Sequence, residues 1–433
     1  MNHPHYLERG QALKIVHINT YDIIGGAARA AYRLHIGLDR LGQDSTMFVA
    51  NRKSEDPKVV TFRPPMKAFN RLHRFFRRKK IEGDFQRYAA SCPSGYDPFT
   101  DDRSEHGNDV LGQLPSCDII NLHWVAGFVD YRAFFSGILK NIPIVWTLHD
   151  MNAFTGGCHY DYSCGKFIRS CGGCPQLGSD IEDDLSRKVW KRKKVAFDQL
   201  GAERLHIIAP SRWLAKEAKQ SSLLGRFPVS VIPYGLDQEV FAPRDAKGFR
   251  EALGIPADAQ VVLFVADWVQ NKRKGFSILT EAFSGLNDVD NLLLFSVGSG
   301  QIELGTNKSY VHLEYIDVDR ILSIAYSAAD VFVIPSLQDN LPNTVLEAIA
   351  CGTPVVGFDV SGIPDLVRPG ITGYLAPVQD VSALRNAIVD LLGDPDTLAE
   401  MSANCRRVAK KEYDLNLQAK RYAELYEKIL TGQ

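Results

Sequence analysis

The segment PSLQDNLPNTVLEAIACGTP, residues 335–354, decides the fold of this chain. An apolar run precedes it and predicts a strand that ends at Pro335. A polar loop follows, a helix is expected to begin near Asn343 or Thr344, and Gly352 ends that helix before the next apolar run. Such a helix directs its free N–H groups and the positive end of its dipole at the edge of the sheet. This geometry suits a diphosphate group.

Two acidic residues lie at defined places in this segment. Asp339 belongs to the loop, where its carboxylate can meet sugar hydroxyls, and Glu347 lies about one turn into the helix. A carboxylate at the second position can accept two hydrogen bonds from the vicinal hydroxyls of a ribose. Either acid alone is equally compatible with a purely local role in the loop or in an early helix turn.

The start of the chain shows the same alternation of strand, loop and helix. Residues 14–18 predict a strand, Gly25-Gly26 a loop, 27–34 an alanine-rich helix and 46–50 a second strand, which together form a βαβ unit with a parallel sheet. Further apolar runs end at polar or glycine-bearing loops, as strands of an open α/β sheet do. They are residues 119–122, 144–148, 206–209, 229–235, 260–265, 292–297, 331–334 and 354–358.

The length of 433 residues exceeds what a single hydrophobic core usually serves. We therefore expect an α/β chain with two doubly wound domains that face each other across a cleft. The first domain is expected to span residues 1–235 and the second residues 236–411. The tail has a helical pattern from 381 to 430, and its last part, 412–433, is expected to return to the first domain.

Composition and charge exclude several classes of protein. Hydrophobic residues make up 45% of the chain and charged residues 23%, as in ordinary globular proteins. The net charge of −1 gives no whole-chain electrostatic basis for binding nucleic acid. No apolar run approaches the roughly 20 residues that a membrane helix needs. The N-terminus lacks the basic and apolar regions of a secretory signal, so we expect a cytoplasmic protein.

The whole of residues 335–356 closely resembles the donor signature of glycosyltransferase family 4, a retaining family with the GT-B fold of two Rossmann-like domains. That signature has two acids separated by seven residues and then Glu-Ala-x-Ala-x-Gly-x-Pro-Val-Val. Asp339 and Glu347 occupy the acidic positions here, although the family usually has Glu at the first, one methylene longer. Residues 360–367, followed by Gly373, are similar to the Gly-Gly-x-Pro-Glu loop of the family and its following turn.

The resemblance implies transfer of a sugar, with retention, from a nucleoside-diphosphate sugar to a glycan, lipid-linked or polysaccharide acceptor. It implies no catalytic metal, and the leaving phosphate itself takes the acceptor proton. The residues it assigns to the nucleotide are Gly25, Gly26, Asn340, Leu341, Asn343, Thr344 and Glu347. The residues it assigns to the reacting sugar and leaving group are His149, Arg273, Lys274 and Asp339.

The positive charges that stabilise the leaving group depart from the family pattern. Lys274-Gly275 resembles the Lys-Gly that opens a helix in the second domain, but the Arg expected five residues earlier is Val269. Arg273 or Lys272 must therefore supply the second cation. In the first domain, Gly25-Gly26 matches the glycine loop of the family, and His149, at the end of a buried strand, occupies the position of its His near the transferred sugar.

Three other functions remain open from the sequence. The same fold serves nucleotide-sugar 2-epimerases and phosphorylases, although the pyridoxal lysine context of a phosphorylase is not found. An inactive zinc-bearing adaptor is the third alternative. Asp288-Val289-Asp290 and Asp317-Val318-Asp319 mimic the metal-binding Asp-x-Asp of another glycosyltransferase fold, but their positions favour capping or surface roles.

Four of the eight cysteines fall within the loop 157–175, namely Cys158, Cys164, Cys171 and Cys174. Four thiolates in one loop of a cytosolic protein suit a tetrahedral structural Zn²⁺. An iron–sulfur cluster, two disulfides or free thiols are the alternatives. Because the loop follows His149 closely, it is expected to shape the acceptor site.

Two basic segments lie in the first half of the chain. Residues 67–87 have a net charge of +6 with interleaved phenylalanines, and residues 187–194 contain six basic side chains. Solvated helix faces are one interpretation; docking to an anionic membrane surface, on the inner face of the cell membrane, is the other. Nucleic acid is disfavoured because no recognised binding module accompanies the charge.

Overall fold

A computed structural model describes residues 12–286, 291–300 and 309–432 of the protein. The chain divides into two compact units, the first comprising Met1–Pro233 with Asn416–Gln433 and the second Tyr234–Leu415. Each unit is built on one parallel sheet, so the predicted α/β class with two parallel-sheet units is confirmed. None of the helices within the described ranges combines the length and apolarity needed to cross a bilayer.

The sheet of unit 1 has seven strands in the order β3-β2-β1-β4-β5-β6-β7. They are β1 (Lys14–Tyr21), β2 (Asp44–Asn51), β3 (Val59–Thr61), β4 (Ile119–Leu122), β5 (Ile144–Thr147), β6 (Leu205–Ala209) and β7 (Val229–Val231). The helices between them are α1 (Gly26–Arg40), α2 (Ala68–Gln86), α3 (Tyr131–Gly137), α4 (Leu185–Asp198) and α5 (Arg212–Gln220). The strand order reverses between β1 and β4, where open α/β sheets bind their ligands.

The sheet of unit 2 has six strands in the order β10-β9-β8-β11-β12-β13. They are β8 (Gln260–Trp268), β9 (Leu292–Ser299), β10 (Ser309–Leu313), β11 (Val331–Ile334), β12 (Val355–Phe358) and β13 (Gly373–Ala376). The helices are α6 (Lys247–Ala252), α7 (Phe276–Ser284), α8 (Asp319–Ser327), α9 (Asn343–Ala350), α10 (Val381–Leu392) and α11 (Pro395–Glu412). The reversal of strand order falls between β8 and β11, and residues 335–342 directly follow β11.

The last helix, α12 (Leu415–Thr431), packs in unit 1, as expected for the end of the chain. Its Tyr422 and Tyr426 are fully buried in an apolar cluster with β1 and α1. Their hydroxyls bond Thr147 of β5 (3.1 Å) and the Asn121 amide of β4 (2.8 Å). The predicted helical tail thus consists of three helices, of which α10 and α11 belong to unit 2.

Candidate active site

The loop after β11 is locked against the short 3₁₀ turn Lys272–Lys274. The Leu337 N–H donates to the Arg273 carbonyl at 2.8 Å. Gly275, which ends the turn at φ +70°, passes so close to the Pro335 carbonyl oxygen that a Cβ would lie 1.9 Å from it. Only glycine fits there. This close approach brings two cations of the turn to the loop that carries Asp339.

Asp339 is buried and pairs with both cations. Its Oδ2 lies 2.6 Å from the Lys274 ammonium and 3.4 Å from the Arg273 guanidinium, which also donates to the Gln338 carbonyl at 3.0 Å. Burial alone opposes ionisation of Asp339, but the two cations outweigh it, and the pKa of the carboxyl is lowered. Arg273 is itself buried while Lys272 is exposed, so of these two residues Arg273 is the one that pairs with Asp339.

The backbone around Asp339 is held by the loop after β12. The Gly362 N–H donates to the Asp339 carbonyl at 2.9 Å. Ser361, at the position where the family has glycine, adopts the left-handed φ of 54°. A serine in this conformation is strained by about 1 kcal/mol. The strained Ser361 lies beside the buried ion pair, at the edge of the sheet where β11 and β12 end.

Glu347 lies on the buried side of α9, in its second turn. One carboxylate oxygen accepts a hydrogen bond from the Tyr326 hydroxyl of α8 at 3.0 Å, which fixes the orientation of the side chain. The helix begins at Asn343, as the sequence predicts, and Asn343 and Thr344 are half-buried in its first turn. Asn340 and Leu341 are buried in the loop that precedes it.

Of the two Asp-x-Asp segments singled out in the sequence, only Asp317-Val318-Asp319 lies in the described part of the chain. Asp319 is the first residue of α8 and lies in its first turn, where an acid favours the helix dipole. This agrees with a local role for Asp317-Val318-Asp319. Asp288 and Asp290 lie outside the described residues.

In unit 1, Gly25 precedes α1 and adopts φ 86°, and Gly26 is the first residue of that helix. A Cβ on Gly25 would meet nothing within 4 Å, so this glycine serves the backbone conformation. The buried Asp22 anchors the loop, because it accepts hydrogen bonds from the N–H groups of Ile23, Lys53 and Ser54. Burial raises the pKa of Asp22, but these donors outweigh it and the pKa is lowered.

His149 is the end of a chain of three imidazoles that crosses three strands. The His17 Nδ1 lies 2.9 Å from the His123 Nε2, and the His123 Nδ1 lies 3.0 Å from the His149 Nε2. Burial lowers the pKa of His149 to about 4 and those of His17 and His123 well below the usual value. All three rings are therefore neutral near pH 7.

The hydrogen bonds favour one tautomer of His149. Among the described residues the His17 Nε2 is buried without a hydrogen-bond partner, and a lone pair is tolerated there better than an N–H. His17 then donates through Nδ1 to His123, and His123 donates through Nδ1 to His149. His149 is left with its proton on Nδ1.

A second polar group adjoins His149. The Asp150 Oδ2 accepts from the His159 Nδ1 at 2.6 Å and the Trp124 Nε1 at 3.1 Å, and the Trp124 and His159 rings are stacked 5.5 Å apart. The sequence does not single out His123, Trp124 or Asp150. The only signal is that each directly follows, or nearly follows, a buried strand.

Cys158, Cys164, Cys171 and Cys174 surround one small cavity. All eight cysteines, each within the described part of the chain, have free thiols. As the side chains stand, no group of three or more His, Cys, Asp or Glu residues in residues 12–286, 291–300 and 309–432 is arranged to hold a metal ion.

Sequence comparison first defines the class of protein. Residues 259–394, which include the ion cluster and α9, match the family described as "Glycosyl transferases group 1". Together with the relatives below, this match confirms the resemblance to glycosyltransferase family 4.

Among individual proteins, a D-inositol 3-phosphate glycosyltransferase of Thermobispora bispora is 30% identical over 218 residues, which are 47% of this chain and 51% of that protein. The chain thus spans about half the length of this curated relative. Among solved structures, sucrose-phosphate synthase from Thermosynechococcus elongatus has a TM-score of 0.67 at 20% identity, covering 97% of this chain and 99% of that one. HepE of Anabaena, in complex with UDP and glucose, has a TM-score of 0.64 at 17% identity, covering 96% and 99%. The GT-B fold is therefore confirmed.

Proposed function

We propose that this protein is a retaining glycosyltransferase that moves a sugar from a nucleoside-diphosphate sugar to a glycan, lipid-linked or polysaccharide acceptor. The observation that carries the proposal is the buried cluster of Asp339, Lys274 and Arg273 beside the N-terminus of α9. Two cations together with the positive end of the α9 dipole, at the reversal of strand order, form a site suited to a diphosphate.

The cations supply what the leaving group needs. A nucleoside diphosphate gains negative charge as the glycosidic bond breaks, and Lys274 and Arg273 stabilise that charge. Asp339 holds both cations in place while the site is free and turns a carboxylate oxygen to the sugar hydroxyls when the donor is bound. Glu347, fixed by Tyr326, binds the ribose hydroxyls. His149 lies near the transferred sugar.

A large groove of unit 1 is the candidate binding site for an acceptor with both apolar and charged parts. It has a volume of about 900 Å³, and its lining combines the apolar Phe69, Ile81 and Val195 with charged residues of both signs. Arg77 is paired with Asp130, so Arg132 is the cation that we propose to meet the phosphate of a lipid-linked acceptor.

Helix α2, on the rim of this groove, is the segment that we propose to contact an anionic membrane. Among its described residues none is buried, and Phe69, Leu72 and Phe76 are exposed on one face, with basic residues beside them.

The segment 187–194 does not fit this role and is a correction to the sequence-based prediction. Lys193 is fully buried, and the other charges of the segment lie largely in ion pairs, namely Arg187–Glu182, Lys191–Asp183, Arg192–Asp101 and Lys194–Asp198.

The zinc ion proposed for the four cysteines belongs to unit 1 and takes no part in the transfer step. Its role is structural.

The test is a screen of nucleoside-diphosphate hexoses for release of nucleoside diphosphate, with and without candidate lipid-linked and glycan acceptors. We expect acceptor-dependent release with one donor and, by NMR, a product that keeps the anomeric configuration of that donor. Conversion of the donor to its 2-epimer without stoichiometric release would support the epimerase instead. No turnover of any donor, with nucleotide still bound, would support an inactive adaptor.

A further inference from the structure

The loop that contains Cys158, Cys164, Cys171 and Cys174 encloses a cavity of about 20 Å³. Three of the four cysteines are buried and Cys164 is half-buried. All four side chains line this same cavity. The remaining four cysteines of the chain lie outside this cavity.

The backbone of the loop is tightly built around the thiols. A Cβ on Gly156 would lie 2.5 Å from the Ser186 carbonyl oxygen, and one on Gly172 would lie 2.4 Å from that of Glu182. The Cys174 N–H donates to the Asp184 carboxylate at 2.7 Å, which ties the loop to the start of α4. The positions of the cysteines are therefore fixed by the fold of the chain itself.

A backbone N–H group is directed at one of the sulfurs. The Gly156 N–H donates to the Cys171 Sγ at 3.1 Å. The Leu177 N–H donates to the Cys174 carbonyl oxygen at 3.1 Å, which closes a turn directly after Cys174. An N–H donor to sulfur stabilises a thiolate more than a neutral thiol.

The charge of the surroundings fits an anionic cluster. The buried Lys193 lies close enough to Cys158 and Cys171 to interact electrostatically with them. Lys166 lines the cavity and donates to the carbonyls of Gly172 (2.9 Å) and Gly173 (2.7 Å). Two lysines are therefore placed to offset the net charge of −2 that four thiolates and one Zn²⁺ have together.

We infer that Cys158, Cys164, Cys171 and Cys174 bind one structural Zn²⁺ ion in this cavity. Binding displaces the four thiol protons to solvent and forms four Zn–S bonds, with no change of oxidation state. Because the side chains are not arranged as ligands where they stand, the sulfurs must turn toward the shared cavity. A cavity of about 20 Å³ admits a single ion.

The ion would stabilise more than its own loop. Cys158 is followed directly by His159, which bonds Asp150 and stacks on Trp124 at the ends of β4 and β5. A metal at Cys158 therefore fixes the polar group next to His149. This inference rests on the cysteine loop alone and is independent of the proposed transfer activity.

The experiment is elemental analysis of the full chain purified without chelator. We expect about one zinc per chain in the wild type, as four-cysteine structural sites hold. The variants Cys171→Ser and Cys174→Ser should lose nearly all of it. Cys117→Ser is the matched control, because Cys117 is half-buried in the same unit but lies outside the cavity, and it should keep the zinc.

A second measurement does not depend on whether the variants fold. Titration of the wild type with an organomercurial, followed with a chromogenic zinc indicator, should release the zinc in step with modification of about four thiols. A folded wild type without zinc, two disulfides found by mass spectrometry, or iron in place of zinc would each overturn the inference.

Discussion

Replacement of Asp339 by Asn removes the negative charge from the cluster without changing its volume. At the observed 2.6 Å and 3.4 Å, the attraction of the carboxylate to Lys274 and Arg273 is about 6 and 5 kcal/mol at an effective dielectric constant of about 20. Desolvation offsets most of this, but loss of one partner from a buried pair leaves charge uncompensated and costs about 3–5 kcal/mol. Because the Lys274 side chain is 24% exposed and can reach water, we expect a loss of about 2–4 kcal/mol.

The assay is urea denaturation at pH 7 followed by circular dichroism, with hydrogen exchange to locate the loss in residues 334–350. Asp359→Asn, an exposed acid of the same unit, is the matched control and should change the free energy of unfolding by less than about 0.5 kcal/mol. Addition of Lys274→Met to Asp339→Asn should recover part of the loss, because the double variant removes one of the stranded cations. A loss below about 1 kcal/mol for Asp339→Asn would refute the buried ion cluster as described.

The pH dependence of this difference has a defined sign. The pKa of Asp339 is lower in the folded than in the unfolded chain, so its contribution is fully present above the unfolded pKa of about 3.9. The difference in the free energy of unfolding between the wild type and Asp339→Asn should therefore be constant above about pH 5, which lies above the unfolded pKa. It should shrink as the pH falls through the folded pKa. A difference that grows on acidification would contradict the assignment.

Three further results are expected. Ser361→Gly should raise the free energy of unfolding by about 0.5–1 kcal/mol, because glycine adopts φ 54° without strain; an unchanged or lower value in urea denaturation would contradict this. His123→Gln should lower kcat roughly tenfold with little change in KM and alter the ¹⁵N shifts of His149, since one hydrogen bond of about 1.4 kcal/mol orients its tautomer; unaltered shifts would exclude that role. Phe69→Asp with Phe76→Asp should abolish sedimentation with anionic vesicles while leaving binding of nucleotide unchanged, and retained sedimentation would remove α2 as the membrane contact.

Much of the second unit can be predicted from sequence because its signals are local. The apolar run before Pro335, the helix that begins at Asn343 and the stop at Gly352 lie within about twenty residues, and each follows from short-range rules. The pairing of Asp339 with Lys274 spans 65 residues, and only the family resemblance points to it. The choice of Arg273 over Lys272 depends on the close approach of Gly275 to Pro335, which no local pattern reveals.

In the first unit, several long-range contacts cannot be predicted from such local rules. The contact of His17 with His123 spans 106 residues, and it exists because β1 and β4 are neighbours although they are far apart in sequence. Lys193 sits in a run of basic residues that predicts a solvated face, yet α4 turns it inward to the carbonyl of Asn152. Polar residues inside buried strands, such as Asn121, are recognisable only once the sheet order shows what they face.

The most direct test of the nucleotide site is calorimetric binding of nucleoside diphosphates to the wild type, Glu347→Ala and Glu281→Ala. Glu347 is buried beneath the ribose site proposed at α9, whereas Glu281 is an exposed glutamate of the same unit and serves as the control. Loss of two hydrogen bonds to a carboxylate, about 1.5 kcal/mol each, predicts an affinity at least about 100-fold weaker in Glu347→Ala, with Glu281→Ala unchanged. Equal affinity in all three proteins would contradict the assignment of Glu347 and with it the donor site.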